Sequence, residues 1–258
     1  MRARLNSVEM KPQFTITAML LAAGSAAHAQ EDAPPKVQLV LSPYAWVPTV
    51  TGNTALGSLS VPVRVTPRDF AQGIKIGGMG NIRIERPRDF IFAEAIIADY
   101  DNKNFRPFFG QALTSKVRYY EFGAGLHRTV QVGSNTRIRF SPYVGIQRVH
   151  LTNFVTGNVL TTTANGSWTN PVAGVVVEVP VSAKFSLTGK LDGAGFGITD
   201  TDYRSLALLA NIRISKRVSL NAGYRWAKGR FDSDTGLALD LTAAGPQIGL
   251  RYVVPLGK

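Results

Sequence analysis

The sequence predicts an all-β fold: a transmembrane antiparallel up-and-down β-barrel of about ten strands, with eight or twelve as alternatives. Three observations predict it. Side chains alternate between apolar and polar along many segments, short and long links between segments follow one another in turn, and the apolar faces carry almost no charge. Period-two alternation gives a strand one apolar and one polar face. The sequence shows no long amphipathic helix.

The N-terminal 29 residues have the pattern of a secretory signal peptide. Basic residues precede the apolar stretch FTITAMLLAAGSAA, which ends at the small-x-small sequence AHA before Gln30. The stretch is too short for a membrane-spanning helix, which needs about 20 apolar residues. We therefore predict a signal peptide at residues 1–29, a linker at 30–36 and a barrel domain at 37–258.

Composition limits the function classes. The chain has 29 Lys and Arg against 17 Asp and Glu, a formal net charge of +12, and no cysteine. Without cysteine there is no disulfide framework and no thiolate metal site. A basic excess often marks nucleic-acid binding, but the basic residues are scattered singly in a chain with an export signal. We expect anionic lipid headgroups or small anions as partners, and no nucleic acid.

The first half of the barrel is predicted from five alternating segments, at about residues 37–47, 75–86, 90–100, 113–129 and 136–151. Their apolar faces carry, in chain order, Val37, Leu39, Leu41, Ala45 and Val47; Ile76, Ile82 and Ile84; Ile91, Ala93, Ala95 and Ile97; Tyr120, Phe122, Ala124 and Leu126; and Ile138, Phe140, Val144 and Ile146. The opposite faces are polar or glycine-rich. The second and third segments form a hairpin with the polar turn RPRD.

The second half is predicted from five further segments, at about residues 170–180, 185–194, 203–214, 218–229 and 243–254. Their apolar faces carry Ala173, Val175, Val177 and Val179; Phe185, Leu187 and Leu191; Leu206, Leu208, Ala210, Ile212 and Ile214; Val218, Leu220, Ala222, Tyr224 and Trp226; and Ile248, Leu250, Tyr252 and Val254. Aromatic residues near the ends of these faces are typical of the girdles of a membrane barrel.

The links between segments alternate in length. Tight turns are predicted at residues 86–89, 130–135, 180–184 and 215–217, and longer links at 48–74, 101–112, 152–169, 195–202 and 230–242. The first long link contains SLSVPVRV, which predicts a hairpin within it. Short periplasmic turns and longer extracellular loops are typical of outer-membrane barrels. An even strand number places both termini at the turn end.

A soluble secreted barrel or sandwich is the alternative fold. Its polar face would meet water and could be dense in Lys, Glu and Asp. Here the polar faces consist mainly of Gly, Ser, Asn, Gln and Tyr with isolated charges, as expected for a crowded lumen. We therefore assign the apolar face to lipid and the polar face to the interior.

Several segments resemble a known group. SPYAWVPTVTG, WTNPVAGV, KLDGAGFG, SLNAGYRW and the closing GPQIGLRYVV are similar to segments of small proteobacterial outer-membrane β-barrel proteins, mostly of unassigned function. The resemblance covers most of the mature chain and implies the fold rather than an activity. Such proteins commonly end on an aromatic residue that the barrel-assembly machinery recognises, whereas this chain ends on Lys258.

Charged residues at inward positions are the candidate site. The set comprises Arg83, Glu94, Glu121, Arg139, Glu178, Lys190, Asp192, Arg213, Arg225 and Arg251. Unpaired buried charges are costly, so opposite charges should pair across the lumen and hold the barrel closed. The alternative hypothesis is a narrow pathway for small anions, lined by the surplus arginines.

The sequence contains few residues that could form a catalytic site. The mature chain has two histidines, His127 and His150, and Asp99 and Asp101 are the carboxylates that could approach His150 near the loop end. An intervening strand separates His150 from both carboxylates, and the alternation places His150 on the outward face. The glycine runs GGMG and DGAGFG lack the strand-turn-helix setting of a phosphate loop. We expect no enzyme activity, no cofactor and no metal.

The sequence thus predicts an integral outer-membrane β-barrel protein, exported to the periplasm and then inserted, which is structural or weakly permeable to small solutes. A surface protein that binds through its extracellular loops, adhesin-like or in contact with lipopolysaccharide, is the second hypothesis, and a hydrolase at the rim is the third. The expected partners are outer-membrane lipid and lipopolysaccharide, the barrel-assembly machinery and small solutes.

Overall fold

The computed structural model describes residues 37–56, 59–102, 112–133, 136–156, 161–232 and 237–256; the predicted signal peptide and linker lie outside this part. The described elements are β1 (Gln38–Trp46), β2 (Thr49–Leu56), β3 (Leu59–Val65), α1 (Pro67–Gly73), β4 (Ile74–Glu85), β5 (Asp89–Asn102), β6 (Ala112–Leu126), β7 (Arg128–Val132), β8 (Thr136–Thr156), β9 (Thr161–Pro180), β10 (Phe185–Ala194), β11 (Thr201–Arg213), β12 (Val218–Asp232) and β13 (Leu237–Pro255). Within these ranges no helix is long and apolar enough to cross a membrane.

Ten of the strands form a closed antiparallel ring. Their order is β1, β4, β5, β6, β8, β9, β10, β11, β12 and β13, and β13 pairs back to β1. The closing seam runs from the pair Gln38 and Pro255 to the pair Trp46 and Gln247. The predicted all-β barrel of ten strands, with eight and twelve as alternatives, is confirmed at ten.

The remaining elements lie in the links. β2 and β3 form the predicted hairpin within the first long link, and β2 pairs with the loop-end part of β13. The short helix α1 follows, and it was not predicted. Thr66 caps it in a reciprocal capping box with Asp69, and the hydrogen bonds from the Thr66 side chain and backbone lower the pKa of Asp69.

Three predicted links are wrong in extent. Residues 230–242 were predicted as a long link, yet β12 continues to Asp232 and β13 begins at Leu237. Residues 152–169 were predicted as a long loop, yet β8 continues to Thr156 and β9 begins at Thr161. The stretch TTTANGS is polar but rich in threonine, which suits a strand, so the hairpin extends beyond the membrane. At the other end, the chain continues after β6 as β7, which pairs with β8, so the turn is tighter than residues 130–135.

The outward face of the ring is apolar, as predicted. Large side chains between 40% and 65% exposed on this face include Ile76, Ile82, Ile91, Phe122, Val144, Ile146, Leu187, Leu191, Leu206, Leu208, Ile212, Tyr224, Ile248, Leu250 and Tyr252. An apolar surface that encircles a molecule far exceeds the patches that soluble monomers expose. It matches the lipid-facing band of a transmembrane barrel.

The core lies inside the ring. At the loop end it consists of buried apolar side chains, Trp46, Leu151, Trp168, Val172, Ala194, Tyr203, Ala227, Phe231 and Leu239. Nearer the turn end, Phe90, Phe92 and Tyr143 form a smaller cluster. Two glycines of β6 make room for these rings, because a Cβ on Gly123 or Gly125 would lie 2.6 Å from Phe92 or 2.5 Å from Phe90.

We predict that Val144→Arg destabilises the barrel in a bilayer by about 2–4 kcal/mol, the cost of arginine at the midplane of a lipid-facing strand. Val144 points outward and is 65% exposed. The measurement is urea unfolding in phospholipid vesicles. Ser167→Arg is the control, because Ser167 is exposed, faces outward opposite His150 and lies beyond the level where outward charges begin. Equal stability of the two variants would contradict a lipid-facing position for Val144.

Candidate functional site

A lysine at the centre of the lumen contacts three carboxylates. Lys190 Nζ on β10 lies 2.9 Å from Glu94 Oε2, 3.6 Å from Glu121 Oε1 and 3.5 Å from Asp192 Oδ2. Glu94 comes from β5 and Glu121 from β6, on the other side of the ring. The strand alternation points all four side chains inward, so the cluster joins opposite walls of the barrel.

A second cation completes the cluster. Arg225 on β12 donates from Nη1 to Glu94 Oε1 at 3.0 Å and to the Tyr44 hydroxyl at 3.1 Å, and that hydroxyl donates to Glu94 Oε1 at 2.6 Å. The Arg225 guanidinium also lies 5.1 Å from the centre of the Trp46 ring. Glu94 therefore holds groups from β1, β10 and β12 at once. We call Glu94, Glu121, Lys190, Asp192 and Arg225 the central cluster.

Hydrogen-bonded polar side chains extend from the central cluster toward the loop end. Tyr119 donates to Glu121, and Gln147 Nε2 lies 3.4 Å from the Tyr119 hydroxyl. Asn170 Nδ2 approaches Gln147 Oε1 at 3.5 Å, and Thr199 donates to Asn170 Oδ1 at 2.7 Å. Glu121, Gln147 and Asn170 are at most 1% exposed. This polar row and the apolar core beside it fill the loop-end half of the lumen.

A different set of charges lies at the turn end. Glu85 accepts from Arg83 at 3.2 Å, from Arg251 at 3.4 Å and from Gln38 at 2.7 Å. Arg139 on β8 pairs with Glu178 on β9 at 2.5 Å. Arg83 lies on the same strand as Glu85, and Arg251 reaches Glu85 from β13, past β1. Arg139 and Glu178 lie on neighbouring strands, so all these pairs run along the rim rather than across the lumen. Arginines here outnumber the carboxylates that they contact.

A cavity of about 250 Å³ lies between the two sets. Five cations surround its turn-end part: Arg83, Arg139, Lys184, Arg213 and Arg251. Its inner end is lined by Tyr44, Glu94, Tyr143, Lys190 and Arg225. The rest of the wall consists of serine and asparagine side chains of β1, β4, β10, β11 and β12 and of apolar side chains such as Phe90, Val176 and Leu209. The cavity therefore has a mixed lining of charged, polar and apolar side chains, is open at the turn end and is closed toward the loop end by the central cluster.

The cavity has a surplus of positive charge. Seven cations and three carboxylates line it. Glu121 and Asp192, which contact Lys190 from behind the lining, bring the carboxylates to five. Arg213 is the clearest part of the surplus, because in the described residues it makes no ion pair while it faces the cavity. A closed-ended cavity with this balance favours anions.

The ten predicted lumen charges all lie where the strand alternation places them, on the inward face. The structure brings five into the central cluster and four into the turn-end set, while Arg213 lines the cavity without a partner. Sequence reasoning placed Glu85 inside but left it out of the charge set. It also missed the hydroxyls of Tyr44, Tyr119 and Tyr143, although their inward parity was the available signal.

The residues considered for catalysis do not form a site. Asp99 pairs with Arg118 at 2.6 Å and Asp101 with Lys75 at 2.5 Å, and β6 separates both from β8 and its His150. His127 is buried, with Nδ1 2.9 Å from Ser141 Oγ. Among the described residues no group of three or more His, Cys, Asp and Glu side chains is arranged to hold a metal ion.

The closed ring and its apolar exterior define the class of protein: a transmembrane antiparallel β-barrel. No protein-family model and no curated protein matches the chain. Solved structures that resemble it include the outer membrane protease OmpT from Escherichia coli, with 11% identity, 86% of this chain and 98% of that chain covered and a TM-score of 0.46. Another is Ail, the attachment invasion locus protein of Yersinia pestis, with 8% identity, coverages of 84% and 98% and a TM-score of 0.35.

A third is a major outer membrane protein from Thermus thermophilus, with 12% identity, coverages of 84% and 99% and a TM-score of 0.37. All three identities and TM-scores are low. The fold assignment therefore rests on the strand pairing and closure of this chain itself.

We predict that Lys190→Met lowers the free energy of unfolding by about 3–5 kcal/mol, because it leaves Glu94, Glu121 and Asp192 buried without their shared cation. The measurement is urea unfolding of the refolded barrel. Lys184→Met, at an exposed position of the turn end, is the control and should change stability little.

A second substitution tests the cause of that loss. Adding Glu121→Gln to Lys190→Met removes one of the buried carboxylates that Lys190→Met leaves without its cation. The double variant should therefore be more stable than Lys190→Met alone. A Lys190→Met protein as stable as Lys184→Met, or a double variant with the sum of two losses, would contradict the assigned role of the central cluster.

Proposed function

We propose that the protein is an integral outer-membrane β-barrel whose lumen is a closed-ended cavity that binds small anions from the periplasm. The observation that carries the proposal is the cavity itself, because seven cations and three carboxylates line it and it opens only toward the turn end in the described part of the chain. The sequence predicts a barrel that is structural or weakly permeable to small solutes. The proposed lumen binds small anions but does not let them pass.

The orientation follows from the two termini. The Leu256 N–H donates to the Val37 carbonyl at 2.9 Å, so both ends of the barrel domain lie together at the turn end. A signal peptide at residues 1–29 would deliver the N-terminus to the periplasm. Short periplasmic turns are the usual arrangement in outer-membrane barrels. The cavity mouth would then face the periplasm.

Passage through the barrel is opposed by the packing at the loop end. The rings of Trp168 and Phe231 lie 5.2 Å apart, and Trp46, Tyr203 and Leu239 pack in the same buried cluster. An ion leaving the cavity would have to cross the central cluster and then this apolar region. Hydrophobic constrictions exclude ions because they do not replace the hydration shell.

Anion binding is supported by the chemistry of the mouth. Guanidinium groups bind phosphate and carboxylate through paired N–H donors. Arg213 has its donors available, and Arg251 shares Glu85 with Arg83. Further side-chain donors surround the same space. They belong to Ser42, Lys184 and serine and asparagine residues elsewhere in the wall. A volume of about 250 Å³ exceeds that of a single water, about 30 Å³, and has room for a small anion.

We predict that the purified protein shows no conductance steps in planar bilayers. The double variant Trp168→Ala, Phe231→Ala is the comparison, since it removes the closest aromatic pair from the loop-end core and should raise conductance. Stepwise conductance by the unaltered protein would contradict a closed-ended lumen. It would instead favour the hypothesis of a narrow anion pathway.

We predict that inorganic phosphate raises the thermal unfolding temperature of the detergent-solubilised barrel above that in chloride of equal ionic strength, because a ligand that binds the folded state stabilises it. Arg213→Gln should remove most of this difference. Arg217→Gln, at an exposed turn position outside the cavity lining, should keep it. An equal phosphate effect in both variants, or none in the unaltered protein, would overturn the anion site.

A further inference from the structure

Outward-facing charges form a belt near the loop end of the barrel. Below the belt the outward side chains are apolar, and at it they change to Asp99 on β5, Arg118 on β6, Arg148 on β8, Arg204 on β11 and Lys228 on β12. Some of these charged residues lie directly side by side on neighbouring strands, as Arg204 and Lys228 do. The change marks the height at which hydrocarbon gives way to headgroups.

On one side of the barrel the belt is balanced. Arg204 pairs with Asp202 at 3.3 Å, Arg230 with Asp232 at 3.3 Å and Lys228 with Asp240 at 3.7 Å. Three cations thus meet three carboxylates on β11, β12 and β13. Among the described outward residues of these three strands, no cation at this height is left without a carboxylate.

On β4 to β8 the belt is not balanced. Two carboxylates are present, and each is engaged: Asp99 with Arg118 at 2.6 Å and Asp101 with Lys75 at 2.5 Å. Lys116 and Arg148 are exposed and make no ion pair with any described residue. Four cations therefore face two carboxylates, which leaves two positive charges at headgroup height.

The two unpaired cations, Lys116 and Arg148, lie on the neighbouring strands β6 and β8. Arg118 is directly opposite His150, and Arg148 is directly opposite Tyr120, the next outward residue after Arg118. Directly opposite side chains on paired strands are about 5 Å apart, and residues two apart on one strand about 7 Å. Lys116 is two residues beyond Arg118 on β6, directly opposite Asp99, and is therefore about 13 Å along the strand from the level of Arg148. Lys116, Arg118 and Arg148 thus form an elongated patch across β6 and β8, with Arg118 in its middle.

Hydrogen-bonding groups border the patch on β9. Thr169 lies opposite Arg148, and Ser167 lies opposite His150, both on the exposed outward face. A hydroxyl can donate to a phosphate oxygen. Tyr120 lies at the lower edge, where an aromatic ring suits the boundary between hydrocarbon and headgroups. The patch thus offers cations, hydroxyls and an amphipathic ring to one ligand at the membrane surface.

We propose that this patch, Lys116, Arg118 and Arg148 with Thr169, binds the phosphates of a phosphorylated glycolipid of the outer leaflet, with lipid A as its occupant. Such a lipid carries dense negative charge at the height of the patch, and its acyl chains lie along the apolar band below. Arginine binds phosphate through paired donors, and lysine does so as a point charge. The inference rests on the proposed outer-membrane location but not on the luminal anion site.

The test is native mass spectrometry of the detergent-solubilised barrel with bisphosphorylated lipid A, lipid A without phosphate, and phosphatidylglycerol. The unaltered protein should bind the bisphosphorylated form in preference to both others. The double variant Lys116→Gln, Arg148→Gln should bind it about thirtyfold more weakly, given the contribution of each of the two basic residues near an anionic surface. Its folding is verified by heat-modifiable gel migration.

The matched control is the double variant Arg204→Gln, Lys228→Gln, which removes the same charge at the same height from the balanced side and should bind within about twofold of the unaltered protein. Equal losses in both variants, or equal binding of phosphatidylglycerol and lipid A, would overturn the patch as a specific site. Cell fractionation tests the location separately: absence from the outer membrane refutes the proposed function, whereas an outer-membrane protein without lipid A preference refutes only this inference.

Discussion

Closure of the sheet is the constraint on which the rest of the structure depends. A bilayer offers no hydrogen-bond partner to a backbone amide, so a spanning sheet must leave no free edge. The seam between β1 and β13 closes the ring by pairing both ends of β1, from Gln38 to Leu41 and from Tyr44 to Trp46. Once the ring is closed, every strand residue faces either lipid or lumen, and the period-two pattern assigns each side chain to one of them.

The lumen of so small a ring must be filled by its own side chains. Its carboxylates Glu94, Glu121 and Asp192 gather around Lys190 and Arg225 in the middle. The loop-end half is filled by an apolar core and a row of hydrogen-bonded polar side chains. The remaining arginines lie toward the turn end, where fewer carboxylates compensate them. The same distribution that closes the barrel therefore leaves a basic cavity on one side. Sealing and anion binding are consequences of one charge arrangement.

Parity along each strand was enough to predict the ten-strand ring and the face of every charge in the candidate site. It could not predict partners. Glu94 and Lys190 are 96 residues apart and meet only because of strand order and the stagger of a closed ring. It likewise could not show that Arg213 lacks a carboxylate. Loop lengths were misjudged where polar threonine-rich sequence, as at residues 161–169, continues a strand.

Tryptophan quenching by lipids brominated near the headgroup tests most directly which face meets the membrane. Trp226 points outward, whereas Trp46 and Trp168 are buried in the lumen. A protein with Trp226 alone, made by Trp46→Phe and Trp168→Phe, should be strongly quenched in such vesicles. A protein with Trp168 alone should be quenched little. Equal quenching, or stronger quenching of Trp168, would contradict a barrel whose aliphatic side is covered by hydrocarbon.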